Sequence, residues 1–167
     1  VGTFQNGSIT PGAQRIALTT AQITAEPFHI GVNAADIPFV SIASGDWNTA
    51  STWNKGSVPT CTDIVTITNG FNVTSSTAGN VCKNITIASG GTLSNTAGDL
   101  TVGCTLNNNL LVNNGTLTVS GGTLTVRGSL NHNAGATFNQ SAGDIVIDGN
   151  DAGIVANSAT SYHLNLV

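Results

Sequence analysis

Few residues in this chain have a type and spacing that could support chemistry, and the three cysteines come first. Cys61, Cys82 and Cys104 are almost evenly spaced along the chain. A disulfide needs Cα atoms roughly 4.4–6.8 Å apart, which is about the separation of neighbouring strands. If each interval is one turn of a repeating fold, Cys82 can bond to Cys61 or to Cys104 but not to both. The alternative is three free thiols stacked in one core column. Trp47 and Trp53 flank the polar run Asn48 to Thr52. Exposed rings beside polar groups form a platform on which a sugar can stack. Buried rings instead seal the end of a sheet, whose unpaired backbone groups must be covered. Sealing is the preferred reading.

Asp144, Asp148 and Asp151, with Gly and Asn between them, could offer oxygen ligands to Ca²⁺. Their spacing fits neither the EF-hand loop nor the glycine-rich nonapeptide repeat, so they read as turn residues, and neither metal nor cofactor is expected. His29, His132 and His163 occupy unrelated phases and read as solvent-facing or strand-edge residues. A polysaccharide-cleaving site needs clustered carboxylates beside a cation or metal. Eight acidic and four basic residues, scattered along the chain, do not supply one, and no Gly-x-Ser-x-Gly or Cys/His metal spacing is present. Catalysis is therefore not expected. Thr-x-Thr occurs at Thr66/Thr68, Thr116/Thr118 and Thr123/Thr125. Such pairs order water on a flat face only if they recur once per turn. The last two follow each other within a third of a turn, which places them on adjacent faces, so they read as exposed β-branched positions. Sequons at Asn6, Asn72, Asn84, Asn114 and Asn139 carry no information without a glycosylating host.

The elements that must position these residues follow from composition. Charged residues make up 7% of the 167, against roughly 25% in ordinary globular chains. A net charge of −4 and four isolated basic residues, Arg15, Lys55, Lys83 and Arg127, argue against nucleic acid as a partner. No apolar run is long enough to span a membrane. Val, Ile, Leu and Phe form about a quarter of the chain, enough to build a core. The remainder is dominated by Asn, Thr, Ser, Gly and Ala with no Met, which points to an all-β fold. Short apolar triplets (Ile64–Ile67, Ile85–Ile87, Leu100–Val102, Leu110–Val112, Leu117–Val119, Leu124–Val126, Ile145–Ile147) alternate with Asn-Gly, Ser-Gly-Gly and Ala-Gly-Asp corners. Three corners make a turn of about 21 or 22 residues, as in a solenoid whose strands stack one coil on the next. The expected architecture is a parallel β-helix of about five three-sided coils over residues 44–167. The general preference of parallel crossovers makes it right-handed. Ile64, Ile85, Leu100, Leu117, Leu124 and Ile147 are expected to face inward. Residues 1–43 have longer spacers and prolines, and read as a small extra β element, either a cap or the remnant of a preceding β domain. Tyr162–Val167 alternates like a strand and stops without a turn, so further sequence is expected beyond it.

The segment from Ser44 to Pro59, with its two tryptophans, followed by Asp63–Ile67 and Asn69–Thr74, resembles the opening of a repeat-bearing β-solenoid module. Such modules belong to very large secreted surface proteins of Bacteroidetes, including adhesins and gliding-motility adhesins exported by the type IX secretion system. The resemblance covers roughly residues 42–167. It implies an extracellular, cell-surface location and a structural and adhesive role in a long fibre or stalk. The partners it implies are neighbouring modules of the same chain or other copies in a fibre, with polysaccharide or a cell surface as the contacted material. A carbohydrate-binding module with a defined glycan site is the competing expectation, and a polysaccharide-degrading β-helix enzyme the third.

Overall fold

The computed structural model describes residues 4–6, 13–15, 37–105, 109–149 and 153–156. The chain divides into two compact units, Val1–Ile37 and Pro38–Val167. In the first, β1 (Phe4–Asn6) and β2 (Ala13–Arg15) pair antiparallel. His29, His163, Asp151 and the strand expected over Tyr162–Val167 lie outside the described residues.

The second unit opens with β3 (Phe39–Val40) and β4 (Gly45–Asp46), followed by a 3-10 turn at Ala50–Thr52. Then come β5 (Ile64–Ile67), β6 (Asn72–Ser75), β7 (Asn80–Cys82), β8 (Asn84–Ile87), β9 (Thr92–Asn95) and β10 (Leu100–Val102). The series ends with β11 (Asn109–Asn113), β12 (Thr116–Val126), β13 (Gly128–His132), β14 (Thr137–Ile147) and β15 (Gly153–Ala156). All pairings among these strands are parallel, each strand bonding to its counterpart one turn away. This is a β-solenoid. Three faces result: β3, β5, β8, β11, β13 and β15 form the first. The second holds β4, β6, β9 and the leading halves of β12 and β14; the third holds β7, β10 and their trailing halves. The two long strands run through the corner between second and third faces, with register shifts at Val119, Ser120 and Thr123. Gly122 takes a φ of 63° there, and a side chain would strike the Gly98 carbonyl of the coil below.

About four coils are complete among the described residues, against about five expected. Spacing is uneven from turn to turn. Val65 stacks on Ile85 across a short turn, whereas the turns that bring Ile85 under Leu111 and Leu93 under Leu117 each take several residues more. The turns from Val65 through Ile85, Leu111 and Leu130 to Ile154 still average about 22 residues, and the count is lower because the described strands end at Ala156 whereas the expectation ran to Val167. The stack also begins before Ser44, because β3 pairs with β5.

Alternation along each rung turns one set of side chains inward. Val65, Ile67, Val73, Ile85, Ile87, Leu93, Leu111 and Leu117 are all at most 1% exposed, and burial of each contributes about 1.5–3 kcal/mol. Ile85, Leu100, Leu117 and Leu124 face inward as expected, and Ile147 is partly buried against the same core. Ile64 does not: it is 44% exposed, because Val65 rather than Ile64 stacks on Ile85. The apparent repeat of the two isoleucines is one position out of phase, and one position moves a strand side chain to the opposite face.

Polar side chains also point inward, at the corners. Asn95 donates to Gly121 O, Asn109 to Arg127 O and Asn113 to Thr137 O, each at 2.9 Å and each to the backbone of the next coil. They satisfy carbonyls that the sharp corners remove from the ladders. Asn80 donates within its own corner, to Ser75 Oγ at 2.8 Å and Thr77 O at 3.0 Å.

Candidate functional site

Both tryptophans follow β4 and are buried, Trp47 at 0% and Trp53 at 1% exposure. Trp53 Nε1 donates to Trp47 O at 2.8 Å, and the two rings meet edge to face with centroids 5.1 Å apart. Phe39 packs on Trp53 at 6.3 Å, and the Lys55 ammonium lies 4.4 Å from the Phe39 ring centroid. The backbone is pinned alongside: Trp47 N donates to Thr74 O at 2.8 Å, and Asn54 N to Val40 O at 3.0 Å. The Asn48 amide reaches Thr77 Oγ1, and Ser76 Oγ reaches the Asp46 carboxylate. Neither indole presents a face for a sugar. Both belong to the cluster that fills the coils, at the level where β3 and β4 are the first rungs of their sheets.

The disulfide joins Cys61 to Cys104, with Cα atoms 5.5 Å apart, and Cys82 is a buried free thiol. This corrects the expectation that Cys82 is the bonded partner of one or the other, and that all three share a column. Cys82 stacks on Val102, so Cys104 lies two positions beyond that column, in the corner after β10. The bond links that corner to the segment leading into β5. Burial pushes the Cys82 thiol pKa far above its ordinary value and the nearby Asp63 carboxylate adds to the effect, so the thiolate needed for exchange is not formed.

Of the carboxylates that could have held Ca²⁺, Asp144 sits on β14 beside Thr123 and Asp148 in the corner after Ile147. Among the described residues no three His, Cys, Asp or Glu side chains gather as metal ligands would. His132 departs from expectation: it is 3% exposed and faces inward at the end of β13, not toward solvent. Its Nδ1 lies 3.1 Å from Asn113 Nδ2, and its ring meets Phe138 edge to face at 6.3 Å. Burial lowers its pKa, partly offset by a hydrogen bond to the Ala136 backbone.

The remaining candidate is the outer surface, and its three faces differ. The first carries Ile64, Asn84, Leu110 and Ser129 in one outward column and Thr66, Thr86, Val112 and Asn131 in the next. The third carries Val81, Thr101, Thr125 and Val146. On the second face one column reads Asn72, Thr92, Thr116, Thr137, and the other Thr74, Ser94, Thr118, Asn139. Every member of those two columns is a hydroxyl or amide side chain. Neither the alternation nor the Thr-x-Thr search revealed this, because the four rungs read Asn-Val-Thr, Thr-Leu-Ser, Thr-Leu-Thr and Thr-Phe-Asn and recur at unequal intervals. Thr123 and Thr125 do lie past the corner, in the trailing half of β12.

Fold and surface together define a three-faced parallel β-solenoid with Phe39, Trp47 and Trp53 buried near the first rungs and one face wholly polar. No protein family, curated protein or solved structure matches the chain. No helix among the described residues is long and apolar enough to cross a membrane.

Proposed function

We infer that this chain is a structural and adhesive module of a long extracellular surface fibre or stalk. The observation that supports this reading best is the uninterrupted stack. Every coil adds a rung of backbone hydrogen bonds along the axis and a fresh set of buried Val, Ile and Leu, so length is gained without any change of fold. A repeating unit of this kind needs no pocket to do its work. The Cys61–Cys104 disulfide supports an oxidising, extracellular location, since such bonds are rare in reducing compartments. Few charges and many Asn, Thr and Ser side chains on the outside suit weak contacts, repeated many times, with polysaccharide or another cell surface.

Neighbouring modules of the same chain, or further copies in a fibre, are the partners in this reading. Attachment of beads carrying one, two or four linked copies to polysaccharide-coated or cell-coated surfaces tests it. Single copies should bind weakly and retention should climb steeply with copy number, as multivalent contact requires. Micromolar or tighter binding of one copy to a single defined sugar would replace the fibre reading with a dedicated carbohydrate-binding module.

A further inference from the structure

The second face carries a regular two-dimensional array of polar groups. Four successive rungs, β6, β9 and the leading halves of β12 and β14, stay in register from Asn72 through Thr92 and Thr116 to Thr137. The register shifts in β12 and β14 begin only after Val119, beyond this array. Along each column the groups recur at the strand spacing, about 4.8 Å, and across each rung the two outward positions are about 6.7 Å apart. The strands are held by side chains pointing the other way: Val73, Leu93 and Leu117 are all 0% exposed, so the outer side chains stand on an anchored backbone. At the far ends of the rungs Ser75 and Asn95 are also fully buried. The groups are held in part by one another, since Ser94 Oγ donates to Asn72 Oδ1 at 3.1 Å across the rungs.

Two properties narrow what such a face can recognise. Across these four rungs its two columns hold no charged side chain, and the carboxylate of Asp46 on β4, in register with Thr74, marks the end of the neutral array. The columns hold no aromatic ring, so a sugar has no platform on which to stack and must exchange hydrogen bonds with water one for one. What remains is a ligand that is itself a neutral lattice of hydrogen-bonding groups, for which regular spacing is the source of affinity. Ice has that chemistry. The two spacings of the array are close to the repeat lengths of hexagonal ice, and threonine adds a methyl group that fits between ordered waters. The other two faces lack this regularity, because Ile64, Leu110 and Val112 interrupt the first and Val81 and Val146 the third.

We propose that the second face binds ice through the columns Asn72–Thr92–Thr116–Thr137 and Thr74–Ser94–Thr118–Asn139. The proposal is independent of the fibre reading, since it depends only on the register of four rungs in one molecule.

The test compares the purified chain with Thr116→Lys and Thr118→Lys on the proposed face, and with Thr125→Lys, which changes the same residue type on the same strand but beyond the corner. Thermal hysteresis and inhibition of ice recrystallisation are measured for each, with circular dichroism and urea unfolding to confirm that each variant keeps the fold. The expected result is activity in the unaltered chain, loss in Thr116→Lys and Thr118→Lys, and retention in Thr125→Lys. Absence of both activities in the unaltered, folded chain would overturn the proposal. So would equal loss in all three variants at unchanged stability. A face that captures a soluble neutral polysaccharide, lost in Thr116→Lys, without any effect on ice would assign the array to glycan contact instead.

Discussion

The two ends of the described solenoid solve the same problem differently. A coil in the middle of the stack is covered above and below, whereas a terminal rung has a neighbour on one side only. At the β3–β4 end the difference is made up by bulky rings: Trp47 and Trp53 are buried at 0% and 1%. The segment that follows them is tied down by the Cys61–Cys104 bond. At the β14–β15 end the inward positions Phe138, Ile145 and Ile147 are only partly buried, and Ile154, stacked on Leu130, is 37% exposed. The same alternating pattern therefore gives a sealed interior at one end and a half-covered one at the other. Burial in a solenoid belongs to the stack, not to the individual rung.

The sharpest way to break this contrast is to empty the sealed end. Trp53→Ala removes a fully buried ring and its 2.8 Å hydrogen bond to Trp47 O, and is expected to lower stability by about 3–5 kcal/mol in urea unfolding. Cys61→Ser with Cys104→Ser opens a loop of 43 residues, which loop entropy puts at about 4 kcal/mol, at the upper end of what strain-free geometry allows. Under reducing conditions the unaltered chain should show the same loss, while Cys82 should resist alkylation until the chain unfolds, because burial holds it as the neutral thiol. At the other end, Ile147→Ala is expected to cost only about 1–2 kcal/mol, since a partly buried side chain leaves a smaller void. If Ile147→Ala proved as damaging as Trp53→Ala, the contrast between the ends would be lost.

The smallest effect concerns His132, whose pKa is lowered in the fold. The unfolded chain then binds the proton more readily. Stability attributable to this residue is complete above the unfolded value, about 6.5, and falls as pH drops below it toward the folded value. His132→Phe should flatten that part of the pH–stability curve relative to the unaltered chain. An unchanged slope between pH 7 and 5 would mean the imidazole is as easily protonated in the fold as out of it.

Fold class was legible because turn residues and apolar triplets repeat at a period that no sandwich uses. The finer features were not. Cys61, Cys82 and Cys104 have near-equal spacing by coincidence: Cys82 stacks on Val102, and Cys104 lies past that rung in the corner after β10. Ile64 matched Ile85 in spacing but not in parity, and parity decides the face. The inward Asn95, Asn109, Asn113 and His132 went unseen because a polar residue at a corner reads as solvent-facing until the carbonyl it serves is known. The polar lattice of the second face was hidden for a related reason. Its columns mix Thr, Ser and Asn, and they align only once the unequal lengths of the successive turns are known. The tryptophan pair was the exception, since large rings next to the first rungs have few places to go but the interior.

Amide hydrogen exchange resolved rung by rung tests the stacked, unevenly sealed solenoid most directly. Amides of β8, β9 and β11, which bond between coils on both sides, should exchange slowest, those of β5 and β6 nearly as slowly beneath the tryptophans, and those of β14 and β15 fastest. Uniform protection along the chain, or slowest exchange at β14 and β15, would contradict it.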